Sequence, residues 1–428
     1  MIPMPTGALW RESEFMKLWA AQAVSAFGSR ISRTALPVIA IVTLGASPDQ
    51  LGVLAAATTA PALLVGLCAG GVVDRSRKRP ILIGCDLARA ALLLTIPIAA
   101  WFGLLGMAQL WIVGGLAGAA TTLFAIADNA YLPALVGTPH LVEGNAKLEA
   151  TDSVAEIGGP GLAGILIDLV TAPVAIVLDA LSFLWSAAML GLIRKTEVPA
   201  AAGERVDVLS DLRQGVRAGF GHPLVRPLVL ADGTTALFFG FLHTLYMLYG
   251  LQVLGLSPGA LGLIIGVGGL GGLTGALLAP LLARRLGYGP AIPAAMAVGL
   301  LGGLFIPLAG GSQAWSIAAL VLQQFIGDAL LVAYTILAVS LRQTVLPLAM
   351  LGRVNGLIQV LTGTVQALGA LIAGPVAGAM GVRGAIWIAV LAPLALAPAI
   401  LARPALMRLS ALPQPHSDGS GGHTVAPS

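Results

Sequence analysis

Gly70-Gly71-Val72-Val73-Asp74-Arg75-Ser76-Arg77-Lys78-Arg79-Pro80 is the densest run of charge in an otherwise apolar chain. It lies between two apolar stretches, Leu51–Val73 and Ile81–Leu105. Each is long enough to cross a bilayer core, which takes ~20 helical residues. A short turn carrying four cations between two spans reads as a cytoplasmic hairpin, because Lys and Arg resist translocation.

Composition agrees. The 428 residues are 57% hydrophobic and only 10% charged, with a mean hydropathy of +0.93. Soluble domains carry about 25% charged residues, so the chain reads as an integral membrane protein. Its net charge of +4 does not point to nucleic acid, because the cations gather between spans. The 55 glycines suit close helix packing in lipid, where small residues let backbones approach. Cys68 and Cys85 read as packing residues, neither a disulfide framework nor a metal site. Arg11, Glu12, Glu14 and Lys17 precede a span too long for a signal-peptide core.

Twelve candidate helices follow from the apolar runs, at about 15–44, 50–73, 80–104, 109–133, 145–168, 173–193, 225–250, 259–283, 290–309, 314–341, 354–379 and 383–403. The expected fold is all-α: twelve transmembrane helices in two pseudo-symmetric six-helix bundles, 1–193 and 224–403. A polar cytoplasmic loop, 194–223, joins them, and a Pro-, Ser- and Gly-rich tail, 404–428, is expected to be disordered. With both termini inside, 19 of the 23 Lys and Arg fall on the cytoplasmic side and only Arg383 falls outside. Arg30, Arg33 and Arg89 lie within spans.

The halves repeat at a constant offset of 210. Leu51-Gly52 falls on Leu261-Gly262, Asp74-Arg75 on Arg284-Arg285, Pro80 on Pro290 and Asn145 on Asn355. Gly159, Ala163 and Gly164 fall on Gly369, Ala373 and Gly374. A parallel duplication is an architecture of secondary transporters, with substrate bound near the midplane between halves.

The spacing Gly-x-x-x-Asp-Arg-x-x-(Lys/Arg)-(Lys/Arg) between the second and third spans resembles the signature loop of the major facilitator superfamily, with Arg77 where that family usually has Gly. The likeness extends through Ser25–Pro37, Asp86–Arg89, Leu132–Val136, Glu143–Ala146, Gly159–Gly164, Asp179–Phe183, Leu212–Arg217, His222–Arg226, Leu341–Gln343 and Gly352–Asn355. Together these look like the macrolide-efflux and enterobactin-exporter branch. The helix-5 patch Gly159-Pro160-x-x-Ala163-Gly164 is similar to the end of the antiporter signature, without its upstream glycines. Resemblance implies proton-driven efflux and a cavity lined by helices 1, 4, 7 and 10. It also implies a gate in which Asp74 and Arg75 meet the start of helix 11 near Gly352–Asn355, with Arg79, Asp86 and Arg89 extending the network.

Other residues stand out by charge alone. A lone cation deep in a span costs ~2.5–3.5 kcal/mol on insertion scales, so Arg30 and Arg33 should face a wet cavity or an acid. They read either as an anion-attracting cavity wall or as a structural pair with Asp128 or the helix-5 acids. Glu149, Asp152 and Glu156 form one stripe at i, i+3, i+7. As buried carboxylates they are candidates to carry a proton, or else to pair with Arg30, Arg33 or Lys147. Asp128, His243 and Asp328 are further candidates for the cavity, with His243 on Arg33 under the offset. Phe124, Phe238, Phe239, Phe241, Tyr246, Met247 and Tyr334 suit a bulky amphipathic substrate or a packed core.

There is no nucleophile elbow, zinc spacing or phosphate loop, so neither an enzyme nor a cofactor is expected and the energy is assigned to an ion gradient. The expected function is proton-coupled efflux of a small amphipathic drug, antibiotic or siderophore-like metabolite across the inner (plasma) membrane. Its partners are the substrate, protons and lipid, with no nucleic acid and an oligomeric state left open. Uptake of an anionic solute, and a non-transporting sensor or scaffold, are the alternatives.

Overall fold

The computed structural model describes residues 7–195 and 208–413, and they are almost wholly helical. The helices are α1 (Ser13–Val38), α2 (Pro48–Cys68), α3 (Gly70–Arg75), α4 (Lys78–Trp101), α5 (Met107–Val136), α6 (Leu141–Val170) and α7 (Ala172–Gly191). After them come α8 (Val208–Gly221), α9 (Val225–Leu248), α10 (Pro258–Leu286), α11 (Tyr288–Gly302) and α12 (Phe305–Leu308). The last are α13 (Gln313–Leu322), α14 (Asp328–Val345), α15 (Leu348–Leu401) and α16 (Pro404–Met407).

Among the described residues, ten helices are long and apolar enough to cross a membrane. The helix α1, with Glu14, Lys17, Arg30 and Arg33 along it, is not among them. The 54-residue α15 is broken at Gly381, whose φ of 80° no helix tolerates. Gly381 falls between the two spans expected at 354–379 and 383–403.

The 210-residue repeat is written into the backbone. A π-turn widens the end of α1 at Ile39–Thr43, and another widens the end of α9 at Tyr249–Val253. Left-handed glycines follow at Gly45 and Gly255. Ser47 then caps α2 through a capping box with Gln50, and Pro48 takes the first helical position, where its missing N–H costs nothing. Ser257 and Pro258 repeat this at α10, Ser257 accepting from Ala260 N–H at 3.1 Å.

The first half packs α1 on α6 and α7, α2 on α5, and α4 on α5 and α7. The second packs α9 on α15, α10 on α14, and α11 on α14 and α15. Two seams join the halves, α6 with α10 and α2 with α15. In one seam Gly262 lies against the Pro160 carbonyl; in the other Gly52 lies against the Ala370 carbonyl, the same pair of positions shifted by 210. Gly164 against Pro258 and Gly259, and Gly374 against Asp49, repeat the relation. A Cβ at any of these glycines collides with the facing backbone.

At the Ser47 and Ser257 end one hydrophobic core runs through both halves, holding Leu51, Ala163, Ile176, Leu261, Ala373 and Ile386. At the cation-rich end the halves have separate cores, Phe15, Leu82, Tyr131 and Leu190 in one and Leu228, Tyr288, Leu341 and Leu401 in the other. The molecule is zipped at one end and parted at the other.

Three expectations change. The 194–223 segment is not merely a loop, because α8 forms within it and lays Gly215 and Gly219 against Arg353 and Leu357 of α15. The tail is not free from residue 404: Leu406 is fully buried, and the Tyr288 and Gly289 N–H groups donate to the Ser410 and Leu409 carbonyls. The rest of the tail, 414–428, lies outside the described residues, as does 196–207. Arg342, which sequence reading places among the topology-setting cations, is buried and ion-paired.

Candidate functional site

Arg30 is the hub of the first half. Its side chain is only 8% exposed, because its stem runs across Gly159 of α6, where a Cβ would overlap Arg30 Cβ and Cγ. The guanidinium reaches past that glycine to Asp152 Oδ1 at 3.0 Å and Glu156 Oε2 at 2.6 Å. Arg33 lies 3.7 Å from Glu156 Oε1 and is itself 59% exposed. Two cations and two acids therefore form one neutral cluster. The carboxylates were expected to be buried; they are 57% and 52% exposed, and the cation is the shielded partner. A buried cation held by two acids resolves the cost of Arg30 in a span.

The second half answers with a cluster that sequence reading missed. Tyr334 donates its hydroxyl to Asp232 Oδ1 at 2.6 Å, and Arg342 Nη1 donates to Asp232 Oδ2 at 3.4 Å. Under the 210 offset Asp232 falls on Gln22, whose Nε2 donates to Asp128 Oδ1 at 2.5 Å. So the first helix of each half is tied by a polar bond at the same level to the fourth. The offset was the signal that could have exposed Asp232. A third π-turn, Gln323–Gly327, ends at Asp328; such turns are frequent at functional sites.

Between the halves lies a cavity of about 690 Å³. Arg30, Arg33 and Glu156 line it from one half, and Asp232, His243, Gln323, Gln324, Asp328, Tyr334 and Arg342 from the other. Phe239, Leu242, Met247, Ile265 and Ile306 supply apolar wall. Tyr246 Oη and Gln323 Oε1 are buried there with no protein partner among the described residues. A second space of about 750 Å³ inside the first half shares Arg30 and Arg33, and adds Asp128, Glu149, Asp152, Arg89 and Phe124.

Thus Arg30, Arg33, His243, Asp328 and Glu156 meet in one cavity, while Asp128, Asp152 and Glu149 border the adjoining one. Glu149 is exposed and makes no ion pair among the described residues. Lys147 pairs with Glu143 at 3.3 Å rather than with the helix-5 stripe. Phe238 and Phe241 pack against each other, and Phe241 is core.

The expected gate network divides. Asp86 is fully buried and ion-paired to Arg89, whose guanidinium lies 4.0 Å over Phe183 and 4.6 Å over Phe124. Arg79 instead donates through Nε to the Leu190 carbonyl at 2.7 Å and through Nη2 to the Gly191 carbonyl, capping α7. Arg75 is exposed. The Asp74 side chain lies outside the described residues, and α3, which carries it, packs on α2 and α5. Among the described residues no group of three His, Cys, Asp or Glu is placed to hold a metal ion.

The model of the Major Facilitator Superfamily matches residues 18–366. The chain belongs to this superfamily. This is a family of transporters rather than of enzymes. It is 26% identical to the multidrug efflux pump Tap of Mycolicibacterium fortuitum, over 86% of this chain and 89% of that one. It is 27% identical to the enterobactin exporter EntS of Citrobacter koseri, over 84% of each. With macrolide efflux protein A of Streptococcus pyogenes it shares 26% identity over 46% of this chain and 47% of the relative. The chain likewise spans only about half the length of MFS-type transporters of Bacillus subtilis and Sinorhizobium fredii. The macrolide-efflux and enterobactin-exporter likeness seen in the sequence is thus met among its relatives. In fold, the chain superposes on a bacterial homologue of the iron transporter ferroportin, crystallised inward-facing, with a TM-score of 0.72 at 16% identity, covering 91% of this chain and 97% of that one. Against the outward-facing state of a bacterial ferroportin homologue the TM-score is 0.57, with 91% and 98% covered at 18% identity.

Proposed function

We propose that this major facilitator protein exports a small amphipathic compound in exchange for protons. In this reading it has twelve spans in two six-helix bundles, 1–193 and 224–403, and both termini lie in the cytoplasm of a bacterial cell. The observation that carries the proposal is the cavity shared by the two halves. Its wall is mixed, with aromatic and aliphatic faces beside unpaired polar groups at Tyr246 and Gln323. That lining fits a partly apolar solute with a few hydrogen-bonding groups. The efflux proteins among the relatives support the direction.

The parted cores at the cation-rich end, and the closer likeness to an inward-facing structure, support an inward-open state. Opening the other way requires the α6–α10 and α2–α15 seams to part while the cation-rich ends close. In this reading Asp74 and Arg75 serve as the gate at that closing end.

Coupling is assigned to the Arg30 cluster. Glu156 faces the cavity, Asp152 the adjoining space, and the two hold Arg30 together, so a proton arriving on Glu156 weakens the grip on the guanidinium and frees it to move. Asp232, tied to Tyr334 and Arg342, is the matching group of the other half. The anion-uptake alternative loses ground, because Arg30 and Arg33 are already neutralised by Asp152 and Glu156.

The test is flux in proteoliposomes. With the pure protein and an imposed pH gradient, a fluorescent amphipathic dye should move against the proton flow, and Glu156→Gln should leave downhill dye movement but lose the pH drive. Absence of any gradient-driven flux across a panel of amphipathic cations, zwitterions and anions overturns the transport assignment. Full pH drive in the variant removes Glu156 from coupling.

A further inference from the structure

Of the Asp, Glu, Lys and Arg side chains that line the central cavity, all but one stand against an opposite charge. Arg30 and Arg33 are held by Asp152 and Glu156, and Arg342 by Asp232. Asp328 is the remainder. It lies near the centre of the Gln313–Val345 span. Among the described residues its carboxylate makes no ion pair and accepts no hydrogen bond.

Local backbone geometry sets this acid beside other acceptors. At 3.6 residues per turn, positions five apart in an α-helix point about 140° away from each other. The π-turn Gln323–Gly327 winds wider, with i→i+5 bonds, and Gln323 and Asp328 both line the cavity. Gly268 of α10 makes room for the acid, for a Cβ there would overlap Asp328 Oδ2. Gln323 Oε1 and Tyr246 Oη are buried at the same cavity without a partner among the described residues, and a tyrosine hydroxyl accepts as well as donates. Phe239 lines the cavity with 37% of its surface open, and an aromatic face attracts a cation.

We propose that this subsite binds the protonated amine of an otherwise apolar solute, with Asp328 taking the positive charge and Gln323 and Tyr246 accepting its remaining N–H groups. The proposal rests on the reading of this cavity as the solute site, and it narrows the ligands of that site to cations. A charge left without a partner inside a span is costly, and a cation entering the cavity relieves that cost. A neutral solute of the same shape leaves Asp328 as it was, and a carboxylate brings a like charge to it.

The full chain, purified in detergent at neutral pH, is titrated with two fluorescent probes. One is dansylcadaverine, a dansyl ring on an alkyl chain that ends in an ammonium; the other is its neutral N-acetyl derivative. The ammonium probe should bind at least about tenfold more tightly, the scale of a hydrogen bond to a charged group. Asp328→Asn should weaken the ammonium probe by about tenfold and leave the N-acetyl probe within about twofold, so the neutral probe also reports that the variant is folded. Tyr246→Phe should weaken the ammonium probe severalfold and the neutral probe little. Equal binding of the two probes by the parent overturns the proposal without any variant. An ammonium preference that survives Asp328→Asn assigns the charge to another acid and overturns it as well. Where Asp328→Asn loses both probes, Tyr246→Phe decides, and an equal loss of both probes there overturns the proposal. Binding without charge preference refutes only the choice of cation, whereas no binding of either probe refutes the cavity as the solute site and this proposal with it.

Discussion

Removing both acids that hold Arg30 should hurt far more than removing all three charges together. Arg30 is 8% exposed and gripped at 3.0 and 2.6 Å by Asp152 and Glu156. In Asp152→Asn with Glu156→Gln the cation stays in the span without a counter-charge. Insertion scales put such a cation at ~2.5–3.5 kcal/mol, and a stranded partner of a buried pair costs ~3–5 kcal/mol. The two carboxylates are half in water, so their attraction is partly screened already. The lower end is the fitting choice, about 3 kcal/mol for the double variant. Either single variant leaves one acid in place and should cost about 1 kcal/mol. Adding Arg30→Met removes the stranded charge and keeps a stem of similar length over Gly159, so the triple variant should return to within about 1 kcal/mol of the parent. Unfolding in mixed micelles, followed by tryptophan fluorescence, measures each corner of the cycle. A triple variant no more stable than the double variant, or a double variant as stable as the parent, refutes the assignment of Arg30 as a cation stabilised mainly by these two acids.

Gly159→Leu should expel the Arg30 stem from its channel, cost about 2 kcal/mol or more by overpacking, and abolish transport; unfolding and flux assays report both. Tyr334→Phe removes the hydroxyl that Asp232 accepts and should destabilise by ~1.5–3 kcal/mol, whereas Thr335→Ser one residue away, on an exposed position, should be nearly silent. Gly262→Leu should block the α6–α10 seam and favour conformations in which it is parted, seen as increased labelling of a cysteine placed at the neighbouring Ala260; unchanged labelling counts against the seam as a closed gate.

Much of this architecture was legible because the chain says everything twice. The 210 offset came from scattered matches such as Gly159 with Gly369. It proves to govern the π-turns, the Ser-Pro caps and both seams. The helix ends were readable from Gly45-Ala46-Ser47-Pro48 and its copy because those residues dictate backbone geometry locally. Polar partnerships were less readable. Arg342 sits near a helix end, where a cation serves equally for topology or for reaching inward, and only the proximity of Asp232 decides. Asp152 and Glu156 looked buried from their depth in the span, but depth along a helix does not say which face meets the cavity. Arg79 and Arg89 share a cationic neighbourhood in sequence, yet ten residues of helix set them on different neighbours. The docking of 404–413 on α11 was hidden because it rests on backbone hydrogen bonds and one leucine, which leave no compositional trace.

At Gly52, Gly164, Gly262 and Gly374 the two seams bring glycine against bare backbone, while side chains such as Leu263, Ile157 and Leu63 pack across them elsewhere. Meshed helices resist sliding as cogs do, since each tooth must climb over its neighbour. Smooth cylinders roll. By keeping its two contact lines bald at Gly52, Gly164, Gly262 and Gly374, this chain trades grip for a low-friction bearing. In the proposed cycle, the polar clasps at Arg30 and Asp232, rather than these joints, would then set the speed of the stroke.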